Sequence, residues 1–199
     1  MNFSDIVTEV MSIVKRPDKL VEVRSAVNAT VQYCATTCDL ARDLVEEVKT
    51  IDPALYAQSL ALSGFPRFRK FRYIKPSNRN SYIDPLSPDK IFVRKTTPLG
   101  QVADIESLDK YYIAGDSLVF KLCKTAPSLI VGYYKYPPVL TLSDTFWSME
   151  SMPYVIIEGA IARSFRLLGD DASADRYQGQ FLQGYNLATK DLKSGVAYG

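Results

Sequence analysis

The residues able to do chemistry are few, and their spacing suits little of it. The 199-residue sequence has no histidine, which removes the commonest general base and the commonest metal ligand. Three cysteines, Cys34, Cys38 and Cys123, fall short of the four nitrogen or sulfur ligands of a structural zinc site. Cys34 and Cys38 stand one turn apart on an expected helix and read as two small, half-buried core residues rather than a redox pair. Acids cluster at Glu46-Glu47 and at Asp170-Asp171 with Asp175. The second group opens a helix, where carboxylates stabilise free N–H groups; the first reads as a solvated surface pair. The ten glycines are scattered singly, with no phosphate loop, dinucleotide fingerprint or nucleophile elbow among them. No catalytic residue, metal or cofactor is assigned, and the expectation is a protein that is not an enzyme.

Charge layout is more informative. Residues 66–95 carry nine bases against two acids, while residues 1–52 carry six bases against nine acids and residues 96–199 nine against eleven. The cations are Arg67, Arg69, Lys70, Arg72, Lys75, Arg79, Lys90, Arg94 and Lys95. Residues 67–75 read as a basic, aromatic strand. Strict alternation puts Arg67, Arg69, Phe71 and Tyr73 on one face and Phe68, Lys70, Arg72 and Ile74 on the other. Two readings stand: an edge strand protected by charge, or a surface facing DNA phosphate or an acidic partner. Tyr133, Tyr134, Tyr136, Phe146 and Trp147 form the densest aromatic cluster, read as core packing or as interface anchors.

The elements that position these residues come in three blocks. Ser4 is the expected cap of a first helix bearing Ile6, Val7, Val10, Met11, Ile13 and Val14. Pro17 opens a second, with Leu20, Val23, Val27, Val31, Cys34 and Cys38 on one stripe. From about Leu40 to Pro138 the segments shorten and become aromatic and β-branched, with a hairpin signal at Ala114-Gly115-Asp116. Helices return with a run from Ser151-Met-Pro153 to Gly169, in which Gly159 is an unfavourable interior residue. A last helix carries Ala174, Tyr177, Phe181, Tyr185 and Leu187. The fold expected is α+β: a bundle of about four helices, two N-terminal and two C-terminal, around a central antiparallel β-rich insert. Residues 1–39 and 146–190 form the helical body, 40–145 the insert, and 191–199 an extended tail. With 47% hydrophobic and 23% charged residues the chain builds a core. No uncharged stretch spans a bilayer, and Met1-Asn-Phe-Ser-Asp5 does not read as a secretion signal.

The order of several segments resembles one family. These are Ala26-Val-Asn-Ala-Thr-Val-Gln-Tyr33, Arg42-Asp-Leu-Val-Glu46, Pro66-Arg-Phe-Arg-Lys-Phe-Arg-Tyr-Ile-Lys-Pro76, Tyr112-Ile-Ala-Gly-Asp-Ser-Leu118, Gly132-Tyr-Tyr-Lys-Tyr-Pro137 and a helix opening on Glu150-Ser-Met-Pro-Tyr. In order and spacing, from about Asp5 to Lys190, the chain resembles head–tail adaptor (connector) proteins of tailed bacteriophages, the group that includes the tail tubular protein A of short-tailed phages. The resemblance implies that residues 42–48 are a strand of the insert.

It also implies a structural virion protein, made in the host cytoplasm and placed at the head–tail interface. Such proteins form a ring, usually of twelve copies, that joins the portal to a tail or nozzle protein while packaged DNA passes through. No membrane partner is expected. The C-terminal segment commonly docks on the portal, which implies a docking role for Lys190, Leu192, Lys193, Val196 and Tyr198. Arg67, Arg69, Lys70, Arg72, Lys75 and Arg79 are the DNA- or partner-facing candidates. The rival readings are a nucleic-acid-binding module acting through residues 67–95 and a tail-completion or terminator ring protein.

Overall fold

A computed structural model describes residues 1–86, 95–96, 102–103 and 109–194. The chain divides into two compact units, a helical one of Met1–Asp43 with Tyr136–Gly199 and a β one of Leu44–Lys135. The α+β class expected from sequence is the one observed, with helices at both ends of the chain and strands between.

Helix α1 (Phe3–Val14) is capped by Asn2, not Ser4. Asn2 Oδ1 accepts from the Asp5 N–H at 2.9 Å, and the Asp5 carboxylate accepts from the Asn2 N–H at 2.9 Å. Asn2 stands three residues before an acid and so closes a reciprocal capping box, which Ser4 cannot do. Pro17 opens a 3-10 turn (Pro17–Lys19) that feeds α2 (Leu20–Thr37). After the β unit come a short α3 (Trp147–Ser151), α4 (Pro153–Leu167) and α5 (Asp171–Ser194). Pro153 takes the first helical position of α4, and Gly169, at φ +76°, follows its end. Asp170 caps α5 by accepting from the Ser173 N–H at 3.1 Å.

One core joins these helices. It takes Phe3, Ile6 and Val10 from α1, Val27 and Val31 from α2, Ile156 and Ile161 from α4, and Phe181 and Tyr185 from α5. Helix α4 lies at its centre, in contact with the other four, as an apolar run on more than one face requires. Gly159 is there for packing: a Cβ at that position would lie 2.6 Å from Thr30 Cγ2 and 2.8 Å from the Phe181 ring. Leu187 falls off the buried stripe and is 58% exposed. Helix α5 also runs to Ser194, so Lys190, Leu192 and Lys193 belong to its last turns and not to an extended tail. No glycine or proline stands between Thr189 and Gly195, and the lysines and leucine there are good helix formers near a helix C-terminus.

The β unit holds two main sheets. One has the order β1 (Leu44–Thr50), β9 (Ser128–Lys135), β3 (Phe68–Pro76). The other has β2 (Ala57–Ala61), β8 (Ser117–Lys121), β7 (Lys110–Ala114), β4 (Asp84–Pro85). A short ladder pairs β5 (Lys95–Thr96) with β6 (Val102–Ala103). The strand expected at 42–48 starts at Leu44, after a 3-10 turn (Ala41–Asp43). The insert is not wholly antiparallel, since the two residues of β4 pair parallel to β7. Alternate residues meet in a shared core: Leu118, Phe120 and Leu122 from one sheet against Leu129, Val131 and Tyr133 from the other.

The hairpin joining β7 and β8 is the one expected. Ala114 pairs with Ser117 around a two-residue turn, and Gly115 has φ +55°. A Cβ there would meet open space, so the cost of substitution is backbone strain alone. Gly115→Val should lower the stability of the β unit by roughly 1 kcal/mol or more and leave the far-ultraviolet signal of the helices in place. An unchanged melting curve would contradict this.

Candidate partner-facing surfaces

Strand β3 departs from strict alternation. Its register against β9 shifts between Phe68 and Lys70 and again between Phe71 and Tyr73. Each bulge adds a residue and turns the next side chain back to the same face. Phe68, Phe71 and Ile74 therefore all face the core, with Phe68 and Phe71 ring centroids 4.5 Å apart. The alternation expected from sequence put Phe68 and Phe71 on opposite faces. Nothing in the residue types marks the bulges, and the core's demand for both rings decides the matter.

With the aromatics inward, the cations separate into classes. Arg67 and Arg72 are exposed, with no ion pair among the described residues. Arg67 also has φ +56°. It occupies the third position of a turn begun by Phe65-Pro66, closed by the Phe68 N–H donating to Phe65 O at 3.1 Å, a place that favours glycine. Arg69 and Lys70 lie over the Tyr134 ring, 5.0 and 5.7 Å from its centroid. Lys75 is half-buried.

Arg79 is committed inside the β unit. Its guanidinium pairs bidentately with Asp109 at 2.9 and 3.1 Å and donates to Lys124 O at 3.2 Å. Cys123 Sγ lies 2.7 Å from that guanidinium and 2.8 Å from the Asp109 carboxylate. Burial pushes the Asp109 carboxyl up, but hydrogen bonds from Cys123 and Arg79 outweigh it and leave the group below the usual carboxylate range. Arg79 thus ties the segment after β3 to the ends of β7 and β8, and it drops out of the partner-facing set. Lys90 and Arg94 lie outside the described residues, as do Val196 and Tyr198.

Other expectations resolve in the same way. Glu46 is exposed as expected and Glu47 is half-buried, and both are engaged: the Tyr73 hydroxyl donates to Glu46, and the Tyr133 hydroxyl donates to Glu47 at 2.6 Å. Tyr73 reaches Glu46 across the middle strand because Gly132 lies between them, where a Cβ would stand 2.5 Å from the tyrosine ring. Cys34 is buried, and burial pushes its thiol up to about 12. Cys38 is half-buried, and both thiols are free. Asp170 caps a helix, and Asp175 pairs with Arg166. The aromatic cluster divides. Tyr133 and Tyr134 are buried on β9, whereas Tyr136, 43% exposed, and the adjacent Phe146 and Trp147 rings belong to the helical unit. Trp147 Nε1 donates to the buried Asp43 at 2.7 Å, a tie across 104 residues of sequence that no local pattern announces.

The two tyrosine–glutamate bonds set an alkaline limit. The Tyr73 hydroxyl is pushed up to about 12, first by its bond to Glu46 and then by burial. Tyr133 is also raised, first by burial and then by its bond to Glu47. Unfolded tyrosine titrates near pH 10. The stabilisation is therefore complete below about pH 10 and is lost as pH climbs towards 12, because the unfolded chain releases its protons first. Melting temperature should fall steeply between these limits, and less steeply in Tyr73→Phe. Equal slopes in the two proteins would refute the assignment.

Across the chain charge is segregated. The helical unit has ten bases and thirteen acids, a balance of −3; the β unit has fourteen and nine, a balance of +5. Among the described residues no three His, Cys, Asp or Glu side chains are placed to hold a metal, and no helix is long and apolar enough to cross a membrane. No curated protein matches the sequence. A family model described as SU10 adaptor protein matches residues 1–197, so the chain belongs to the SU10 adaptor protein family.

Proposed function

We propose that this chain is a head–tail adaptor of a tailed phage that assembles as a closed ring beneath the portal and joins it to a tail or nozzle protein. The ring has about as many copies as the portal, usually twelve in such assemblies, and packaged DNA passes through it. The observation that carries this reading is the family match, which runs through both units from residue 1 to residue 197. A free chain that is a monomer or weak oligomer fits the reading, since heterologous contacts become strong only when a ring closes.

Within that assembly Arg67, Arg69, Lys70, Arg72 and Lys75 face DNA phosphate or an acidic neighbour. Arg67 supports this, because a partner-facing cation is a reason to keep arginine where glycine would relieve about 1 kcal/mol of backbone strain. Lys190, Leu192, Lys193, Val196 and Tyr198 dock on the portal. Phage made without this chain should fill heads with DNA and then lose it, with no tails attached. Normal tailed particles from such a lysate would overturn the reading.

A further inference from the structure

Four strands stand at the edges of the two main sheets, and they differ in how they are defended. Strand β3 has four cations and two bulges. Strand β1 carries Glu46, Glu47 and Lys49, and β4 is two residues long with Pro85. Charge, bulges, proline and shortness all discourage pairing with another chain. Strand β2, Ala57-Gln-Ser-Leu-Ala61, has none of the first three and runs in unbroken register with β8. The Leu122 N–H donates to Tyr56 O at 2.8 Å, and the Leu62 N–H donates to Asp116 O at 2.7 Å. These bonds fix the ladder's phase: even-numbered residues face β8, and Ala57, Ser59 and Ala61 turn their N–H and C=O groups outward. Those six groups have no partner among the described residues. Beside them lies a largely apolar hollow of about 160 Å³ whose lining includes Ala57, Tyr112 and Val119 together with Lys110 and Lys121.

We infer that the open edge of β2 receives an extended segment of a second copy of this chain. The inference rests on the ring reading above and names one of its contacts. Backbone bonds to Ala57, Ser59 and Ala61 supply register, and the hollow takes one apolar side chain of the incoming segment. The donor is the helical unit of the neighbour. Its balance of −3 meets the +5 of the β unit, whereas like units repel. Contact between unlike units is heterologous and propagates into a ring. Three outward residues make a weak joint, which suits a chain that assembles only where many joints close together.

Ser59→Pro removes one outward N–H and leaves the bonds to β8 intact. Its melting temperature should match the parent's, and closing a ring on purified portal protein should need on the order of tenfold more protein or fail outright. In parallel, a benzophenone amino acid at Ser59, illuminated after assembly on portal, should link one copy to the next, with the adduct peptide drawn from residues 1–43 or 136–199. Rings that form normally with Ser59→Pro, or adducts found only on portal, overturn this inference and leave the adaptor reading standing. If the benzophenone variant forms rings without any adduct, the edge is unused and the inference falls. If the unaltered chain forms no ring on portal, the adaptor reading falls and takes this one with it.

Discussion

Gly159→Val should unfold the helical unit or cost it about 3 kcal/mol or more. A Cβ at this position approaches Thr30 Cγ2 to 2.6 Å and Phe181 Cδ2 to 2.8 Å. Neither neighbour can yield easily. Thr30 and Phe181 are both buried, and the Thr30 hydroxyl is tied to Ala26 O at 2.8 Å. Helix propensity gives the opposite sign for the smaller change: Gly159→Ala in an unconstrained helix would stabilise by about 1 kcal/mol. If α4 owes its close approach to α2 and α5 to this glycine, Gly159→Ala is destabilising as well. Trp147 is the only tryptophan and lies in the helical unit, so denaturant melts followed by its fluorescence report on that unit. A more stable Gly159→Ala protein would show that the helices can part without cost.

Removing every residue after Thr189 should leave a folded protein that no longer attaches to portal. Thr189 is the last buried position described on α5, with its hydroxyl donating to Tyr185 O at 2.9 Å, so the cut removes no core residue among those described. It takes Lys190, Leu192, Lys193, Val196 and Tyr198. Each copy offers a small contact, and the ring's many copies supply the affinity together. The truncated protein should melt with the parent and fail to co-sediment with portal particles. Attachment at the parent's occupancy would move the docking role to the body of α5.

Periodicity made the helices legible. The stripes of α1, α2 and α5 and the breaks at Pro17 and Gly169 follow from local chemistry. The hairpin at Gly115 was equally plain, because two strands reversing in two residues need a positive φ. The errors came where distant residues decide. Asn2 outcompetes Ser4 because Asp5 answers it. Phe68 and Phe71 share a face because the core admits both and the strand bulges to allow it. Arg79 looks like another surface cation until Asp109, 30 residues later, is brought beside it. Gly159 reads as a flaw in a helix until Thr30 and Phe181 press against it. The candidate surface was visible as a basic run, but which of its arginines remain exposed depends on those long-range pairings.

The account turns on a ring formed with portal. Native mass spectrometry and electron cryo-microscopy of the purified full-length chain, alone and mixed with its cognate portal, measure this directly. The expected result is a monomer or weak oligomer when free and a closed ring on portal, with the portal's rotational symmetry and an open axial channel. A stable two-fold dimer that stays a dimer in the presence of portal, or a monomer that never binds it, would contradict the account.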